Sequence, residues 1–252
     1  MSRLNVIHGF AIAVIAIGPA PTVRAQPLFE GFEDVPGLAS NGWVFVNNSI
    51  APDPAFPWSQ GDASPPAGLW SAQAGTPNSY AIATFESTTL FAPNGVISNY
   101  LIMPTRVLNN GDVINFWSRK TSESSFPDRM QVRFSPNGSS TNTGGTVNPD
   151  GSGGIGDFTT LLLDINPDYL PDGAGGYPEV WTNYNIVVSG LSGPTSGRLA
   201  FRYFIINTEV NSDAVGIDTL TITPVPEPGS LALLGLGGLA ILRKARRQRG
   251  KQ

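Results

Sequence analysis

The chain has 252 residues, no cysteine, one histidine and a formal charge of -4. The histidine, His8, lies in an apolar N-terminal stretch, so everything after it lacks both His and Cys. Ser-His-Asp and Cys-His catalysis, and zinc sites built on those ligands, are thereby excluded from it. Six basic residues crowd between Arg243 and Lys251 and two more precede residue 26, which leaves the middle of the chain near -11 and argues against nucleic-acid binding.

Residues 1–25 read as a secretory signal peptide. Arg3 supplies the positive start, Phe10 to Gly18 (FAIAVIAIG) is an apolar run too short to span a bilayer comfortably, and Val23-Arg24-Ala25 offers a cleavage site after Ala25. Export by the Sec machinery and cleavage by signal peptidase are the expectation. An exported chain without disulfides depends on its hydrophobic core, which is feasible near 200 residues.

From 26 to 223 the chain is a series of short β-rich runs punctuated by Gly, Pro, Asn, Asp and Ser. MQVRF places Met130, Val132 and Phe134 on one face and Gln131 and Arg133 on the other. YNIVV groups Tyr184, Ile186 and Val188. VINFW (113–117) and LAFRYFII (199–206) are more continuously apolar, as in strands covered on both faces. No capped amphipathic stretch interrupts them. Many short strands with Gly/Pro turns predict an all-β fold, an antiparallel jelly-roll β-sandwich with no long helix before residue 224.

Two loops stand out. Residues 48–68 are Pro-rich. Residues 135–158 are a Gly/Ser/Thr/Asn run whose Asn148, Asp150, Ser152 and Asp157 loosely echo a calcium loop, without its terminal bidentate Glu. The second reads as a flexible surface loop.

Candidate chemistry is sparse. GIDTLTIT puts Asp218 on the parity of Leu220 and Ile222, and PLFEGF puts Glu30 on that of Leu28 and Phe32. A carboxylate on an apolar face needs a partner. Calcium coordinated by Glu30 or Glu33, Asp218 and loop carbonyls is one answer; backbone amides or an arginine at a strand end are the other. Of five tryptophans, Trp43 and Trp117 sit in apolar runs and read as core. Trp58 and Trp70 lie among Pro, Gly and Asp, where an exposed ring stacks on sugars and a buried one fills the loop. No carboxylate pair falls in a recognisable glycosidase motif.

The last segment, 224–252, has three parts. PVPEP cannot be a helix or a central strand, so it is an extended linker. GSLALLGLGGLAIL gives roughly 21 Å of helix at 1.5 Å per residue, short of the ~30 Å hydrocarbon core. RKARRQR is a positive block, which stays in the cytoplasm. The expectation is a short transmembrane helix at about 230–242 and a basic tail at 243–252.

Pro226-Glu227-Pro228, the Gly/Leu-rich span and the arginine cluster resemble the PEP-CTERM sorting signal. That resemblance implies a Gram-negative exporter whose exosortase recognises Pro226, Glu227 and Pro228 and removes the hydrophobic and basic remainder. The body, 26–223, resembles the choice-of-anchor J domain, from LFEGFEDVPGLASNGWVFVNN through WSQGD, DRMQVRFSPNG, WTNYNIVVSGLSG and GRLAFRYFIIN to GIDTLTI. It departs from that pattern at SNYLIMP. This resemblance implies a sandwich of the cleaved-adhesin and MAM class. Together they imply a non-enzymatic protein held briefly in the inner membrane with its domain in the periplasm, then delivered to the cell surface or extracellular matrix and associated with exopolysaccharide. A carbohydrate-binding module on the same route is the alternative, and a carboxylate-dependent glycosidase the third reading.

Overall fold

The computed structural model describes residues 26–64, 69–173 and 175–225. The signal peptide expected at 1–25, the Pro226-Glu227-Pro228 motif, the helix expected at 230–242 and the basic tail lie outside the described residues. Twelve strands follow in order: β1 (Leu28–Glu30), β2 (Val44–Asn47), β3 (Ser59–Gln60), β4 (Ala81–Thr84), β5 (Val96–Ile102), β6 (Arg106–Leu108), β7 (Val113–Lys120), β8 (Met130–Ser135), β9 (Thr160–Ile165), β10 (Thr182–Val187), β11 (Thr195–Ile206) and β12 (Ala214–Thr223). The only helices among the described residues are two short 3-10 segments, Pro36–Asn41 and Phe85–Ser87. Among the same residues no helix is long and apolar enough to cross a membrane.

The strands form two antiparallel sheets. The first runs β10-β7-β12-β4-β3, with β1 also paired to β12; the second runs β2-β5-β11-β8-β9, with β6 also paired to β11. One core lies between them. Ile114 and Phe116 of β7 and Leu220 and Ile222 of β12 meet Val132 and Phe134 of β8 and Phe201, Tyr203 and Ile205 of β11. Phe116 and Phe201 pack edge-to-face across the sheets at 5.0 Å. Phe32, Trp43, Ile186 and Val188 complete this core. Apolar surface contributes roughly 25 cal/mol per Å² buried, so this interior is where a chain without disulfides finds its stability.

The alternation in β8 is as the sequence predicts. Met130, Val132 and Phe134 enter the core, and Gln131 and Arg133 turn to the other face. They are not solvated there, because the 136–158 loop covers that side. Its Val147 packs on Val96 and Phe204, and its Phe158 on Tyr100, Ile102 and Ala200. Tyr100 Oη donates to Gly154 O at 2.6 Å, and Asn48 Nδ2 to Thr143 Oγ1 at 2.7 Å. The expectation of a flexible loop is thus corrected: two apolar anchors and buried hydrogen bonds hold a polar run in place. Under it Arg202 is buried without a carboxylate partner. Its guanidinium lies over the Phe204 ring at 3.8 Å and near Tyr100 at 5.3 Å, and Nε donates to Ser98 Oγ at 2.9 Å. Burial lowers its pKa to about 10.

The reading of VINFW as covered on both faces is also corrected. β7 alternates strictly, with Ile114, Phe116, Ser118 and Lys120 inward and Val113, Asn115, Trp117 and Arg119 half-exposed. Its apolar run is coincidental to the pleat. LAFRYFII in β11 does have both faces covered.

Candidate functional site

Three places draw together groups that could bind or react: the β1/β12 junction, a buried acid at one end of the sandwich, and an aromatic cleft beside it.

At the junction, β1 pairs antiparallel with the end of β12, Glu30 opposite Leu220. β4 takes the same edge of β12 over Ala214 to Ile217. Between these partners β12 carries a bulge: Asp218 faces Trp117 of β7 but Thr221 faces Asn115, one residue too many. Thr219 sits there at φ 50, a left-handed conformation that a β-branched residue rarely adopts. The bulge reverses the parity of the strand. Val215 and Ile217 point inward before it, Leu220 and Ile222 after it. Asp218 therefore does not share the face of Leu220 and Ile222, as uninterrupted alternation predicts.

Asp218 is instead fully buried beneath the 72–79 loop. Its Oδ2 accepts from the Gln73 and Ala74 amides at 2.7 and 3.1 Å, and its Oδ1 from the Thr219 amide at 2.5 Å. Thr219 Oγ1 donates to Gln73 Oε1 at 2.7 Å. Burial raises the Asp218 pKa, and the amides of Ala74, Thr219 and Gln73 oppose it. Glu30 is half-buried and accepts from the Phe32 amide at 2.9 Å. Burial raises its pKa, the Phe32 amide lowers it, and the Glu33 charge raises it again. Phe32 is itself left-handed at φ 55. Glu33 is exposed, its carboxylate folded over Gly31, where any Cβ would meet it, and 3.8 Å from the Cβ position of Gly75. Asp218 and Glu33 thus border one loop, with Glu30 near Glu33, but Asp218 spends both oxygens on amides. Among the described residues no three His, Cys, Asp or Glu side chains are grouped to hold a metal ion.

The two tryptophans marked for sugar stacking are both covered. Trp58 is 2% exposed and donates from Nε1 to Asn99 O at 3.0 Å. Trp70 is 7% exposed, stacked on Tyr80 at 5.7 Å beneath the Arg119 guanidinium at 4.8 Å. Trp181 joins this layer, edge-on to Tyr80 at 5.8 Å. The layer rests on Gly216, where a Cβ would come within 3.0 Å of Trp70. Neither ring offers an open face, because sheet outer surfaces need covering as much as the interior does.

At one end of the sandwich Asp128 is fully buried. Oδ1 accepts from Tyr203 Oη at 2.6 Å and the Asp213 amide at 2.9 Å, while Oδ2 has no partner. Burial pushes its pKa up to about 7, against the pull of Tyr203, the Asp213 amide and, last, the Lys120 charge. Lys120, also fully buried, pairs with Asp172 at 2.8 Å and donates to Ser124 O at 3.1 Å.

Beside this cluster a cleft of about 370 Å³ opens, lined by Phe85, Phe91, Phe126, Thr208, Glu209, Ser212 and Asp213. Phe85 and Phe91 meet at 5.7 Å with their planes inclined at 58°. Phe85, Phe91 and Phe126 are 40%, 53% and 42% exposed. The floor is held in place. Thr208 Oγ1 donates to Leu90 O at 2.6 Å, the Ser212 amide to Pro127 O at 3.0 Å, and Asn211 Nδ2 to Ile206 O at 2.8 Å. Sequence reasoning missed this cleft. Its signal was three phenylalanines lying in or beside turns, TFES, LFAP and SSFPD, outside the alternating strand runs.

The described chain ends beside a fixed point: the Val225 amide donates to the buried Asp112 Oδ1 at 3.0 Å. Pro226 follows directly. What these features define is a two-sheet antiparallel sandwich followed in the chain by the segment that starts at residue 224.

Comparison with known proteins agrees on both parts. Residues 224–247 match the PEP-CTERM protein-sorting motif, so the chain carries that signal. The body is similar in fold to the K1 cleaved adhesin domain of Lys-gingipain from Porphyromonas gingivalis, at 20% identity and TM-score 0.50, covering 80% of this chain and 99% of that one. The K3 cleaved adhesin domain from the same organism gives 17% identity, TM-score 0.46, and 79% and 98% coverage. A xylan-binding CBM22-1 domain from Paenibacillus barcinonensis gives 12%, 0.39, and 81% and 98%. No curated protein matches the chain in sequence.

Proposed function

We propose that this is an exported, non-enzymatic surface or matrix protein, sorted by exosortase through its C-terminal signal. The observation that carries the reading is the sorting motif at 224–247. On this reading the Sec machinery and signal peptidase remove 1–25, and a helix at about 230–242 holds the chain briefly in the inner membrane with the domain in the periplasm of a Gram-negative bacterium. Exosortase then acts at Pro226, Glu227 and Pro228 and releases the body toward exopolysaccharide. The sandwich is a jelly roll of the adhesin class. A structural calcium at Glu30, Glu33 and Asp218 is part of the proposal; two left-handed residues, Phe32 and Thr219, beside those acids support it.

The test is co-expression with exosortase and intact-mass measurement. The wild-type chain should lose its tail, and joint substitution of Pro226, Glu227 and Pro228 by alanine should leave it full-length in the inner membrane. Equal tail loss in both would overturn the sorting role of the tripeptide.

A further inference from the structure

We propose that the cleft between Phe85, Phe91, Phe126 and residues 208–213 binds a glycan of uncharged sugar rings, one or two rings deep, and rejects uronic-acid polymers. Three observations carry it. First, the cleft joins aromatic faces to hydrogen-bond acceptors. Phe85 and Phe91 form an inclined corner, against which the C–H face of a pyranose packs. No other protein group bonds to the carboxylates of Glu209 and Asp213 among the described residues, so they are free to accept from ring hydroxyls. A purely apolar partner would leave both carboxylates desolvated and unpaired, which is costly.

Second, the charge selects. The two carboxylates stand on a body near -11, and no lysine or arginine lines the cleft. An acidic polysaccharide would bring like charges into contact and is disfavoured, whereas an uncharged ring is not. Third, the cleft is built in advance. Asn207 at φ 61 and Ser212 at φ 90, both left-handed, flank its floor, which Thr208, Ser212 and Asn211 tie to the Leu90, Pro127 and Ile206 carbonyls. Backbone strain held in this way is a feature of ligand sites. At about 370 Å³ it lies at the small end of ligand pockets, roughly 300–1,000 Å³, which limits it to one or two rings.

The inference rests on the extracellular placement proposed above only for where the glycan is met. Glycan binding is read on the purified full chain in detergent, and sorting on tail mass, so either fails without the other. An array carrying neutral glucans, galactans, mannans and xylans beside uronic-acid polymers is the assay. We expect binding to at least one neutral glycan, unchanged between about 50 and 500 mM salt, and at least a tenfold loss in Phe85→Ala/Phe91→Ala. That variant removes exposed rings, and an unchanged melting temperature confirms that it folds. Binding only to uronic-acid polymers, binding that collapses with salt, binding indifferent to the two phenylalanines, or no binding to any neutral glycan would each overturn the proposal.

Discussion

Replacing Asp128 by asparagine should change how stability depends on pH, and the structure sets both sign and size. The folded carboxyl has a pKa pushed up to about 7 by burial, against an ordinary value of 3.8. An acid raised in the folded state keeps a proton that the unfolded chain releases. Its contribution is therefore fully present below about pH 4 and is lost as pH rises through about 7. Three units at about 1.4 kcal/mol each give a fall of about 4 kcal/mol across that window. Asparagine has the same shape, still accepts from Tyr203 and the Asp213 amide, and does not ionise. Its amide takes the place of an oxygen that has no partner, at a cost of about 1–3 kcal/mol. Asp128→Asn should thus be less stable than wild type at pH 3 by about 1–3 kcal/mol, and more stable at pH 8 by a similar amount. Urea midpoints at half-unit intervals between these limits, followed by tryptophan fluorescence, measure the crossing. Parallel curves for the two proteins across the whole range would refute the argument, because they would mean that Asp128 is ionised in both folded and unfolded chains.

Asp218→Ala should cost about 2–4 kcal/mol, since it frees the Gln73, Ala74 and Thr219 amides at once; urea denaturation at pH 7 reads it, and a loss below 0.5 kcal/mol would mean that the loop holds itself. Millimolar calcium against chelator should raise the melting temperature of the wild type and leave Asp218→Ala unmoved, with about 2.7 kcal/mol of stabilisation at a hundredfold excess over Kd; no shift leaves Asp218 as a hydrogen-bonding anchor alone. Gly216→Val should cost about 1–3 kcal/mol, because even a Cβ meets Trp70 at 3.0 Å and Trp181 at 3.2 Å, and near-ultraviolet dichroism should report the displaced indoles.

The core was readable because the pleat repeats every two residues. The inward sets of β8 and β10 follow from spacing alone. What spacing does not carry is the break in the pleat at Asp218, since a bulge depends on a backbone angle at Thr219 that no side-chain pattern announces. Nor does composition distinguish a solvated loop from a clamped one. Residues 136–158 are polar almost throughout, yet Val147 and Phe158 suffice to seat them on the second sheet. Lys120 illustrates the same limit in reverse, a charge at an inward position whose neutraliser, Asp172, arrives from a loop more than fifty residues away. The sequence leaves Trp58 and Trp70 open between an exposed and a buried reading because their sequence neighbours are turn formers, whereas in space both are covered.

The placement of β12 has a consequence for how the protein is made. It is the final strand of the body, yet it lies inside the first sheet, with β7 along one edge and β4 and β1 sharing the other. A chain emerging from its N-terminus can pair β5 with β11 and β8 with β11 before then, but β1, β4 and β7 have no common partner until residues 214–223 arrive. Half of the sandwich waits for its keystone, and the keystone runs directly into the sorting signal at residue 224. Force applied through the tail would meet the same geometry from the other side: it would load a strand with hydrogen-bonded neighbours on both edges, so the body resists extraction at the point where it is held.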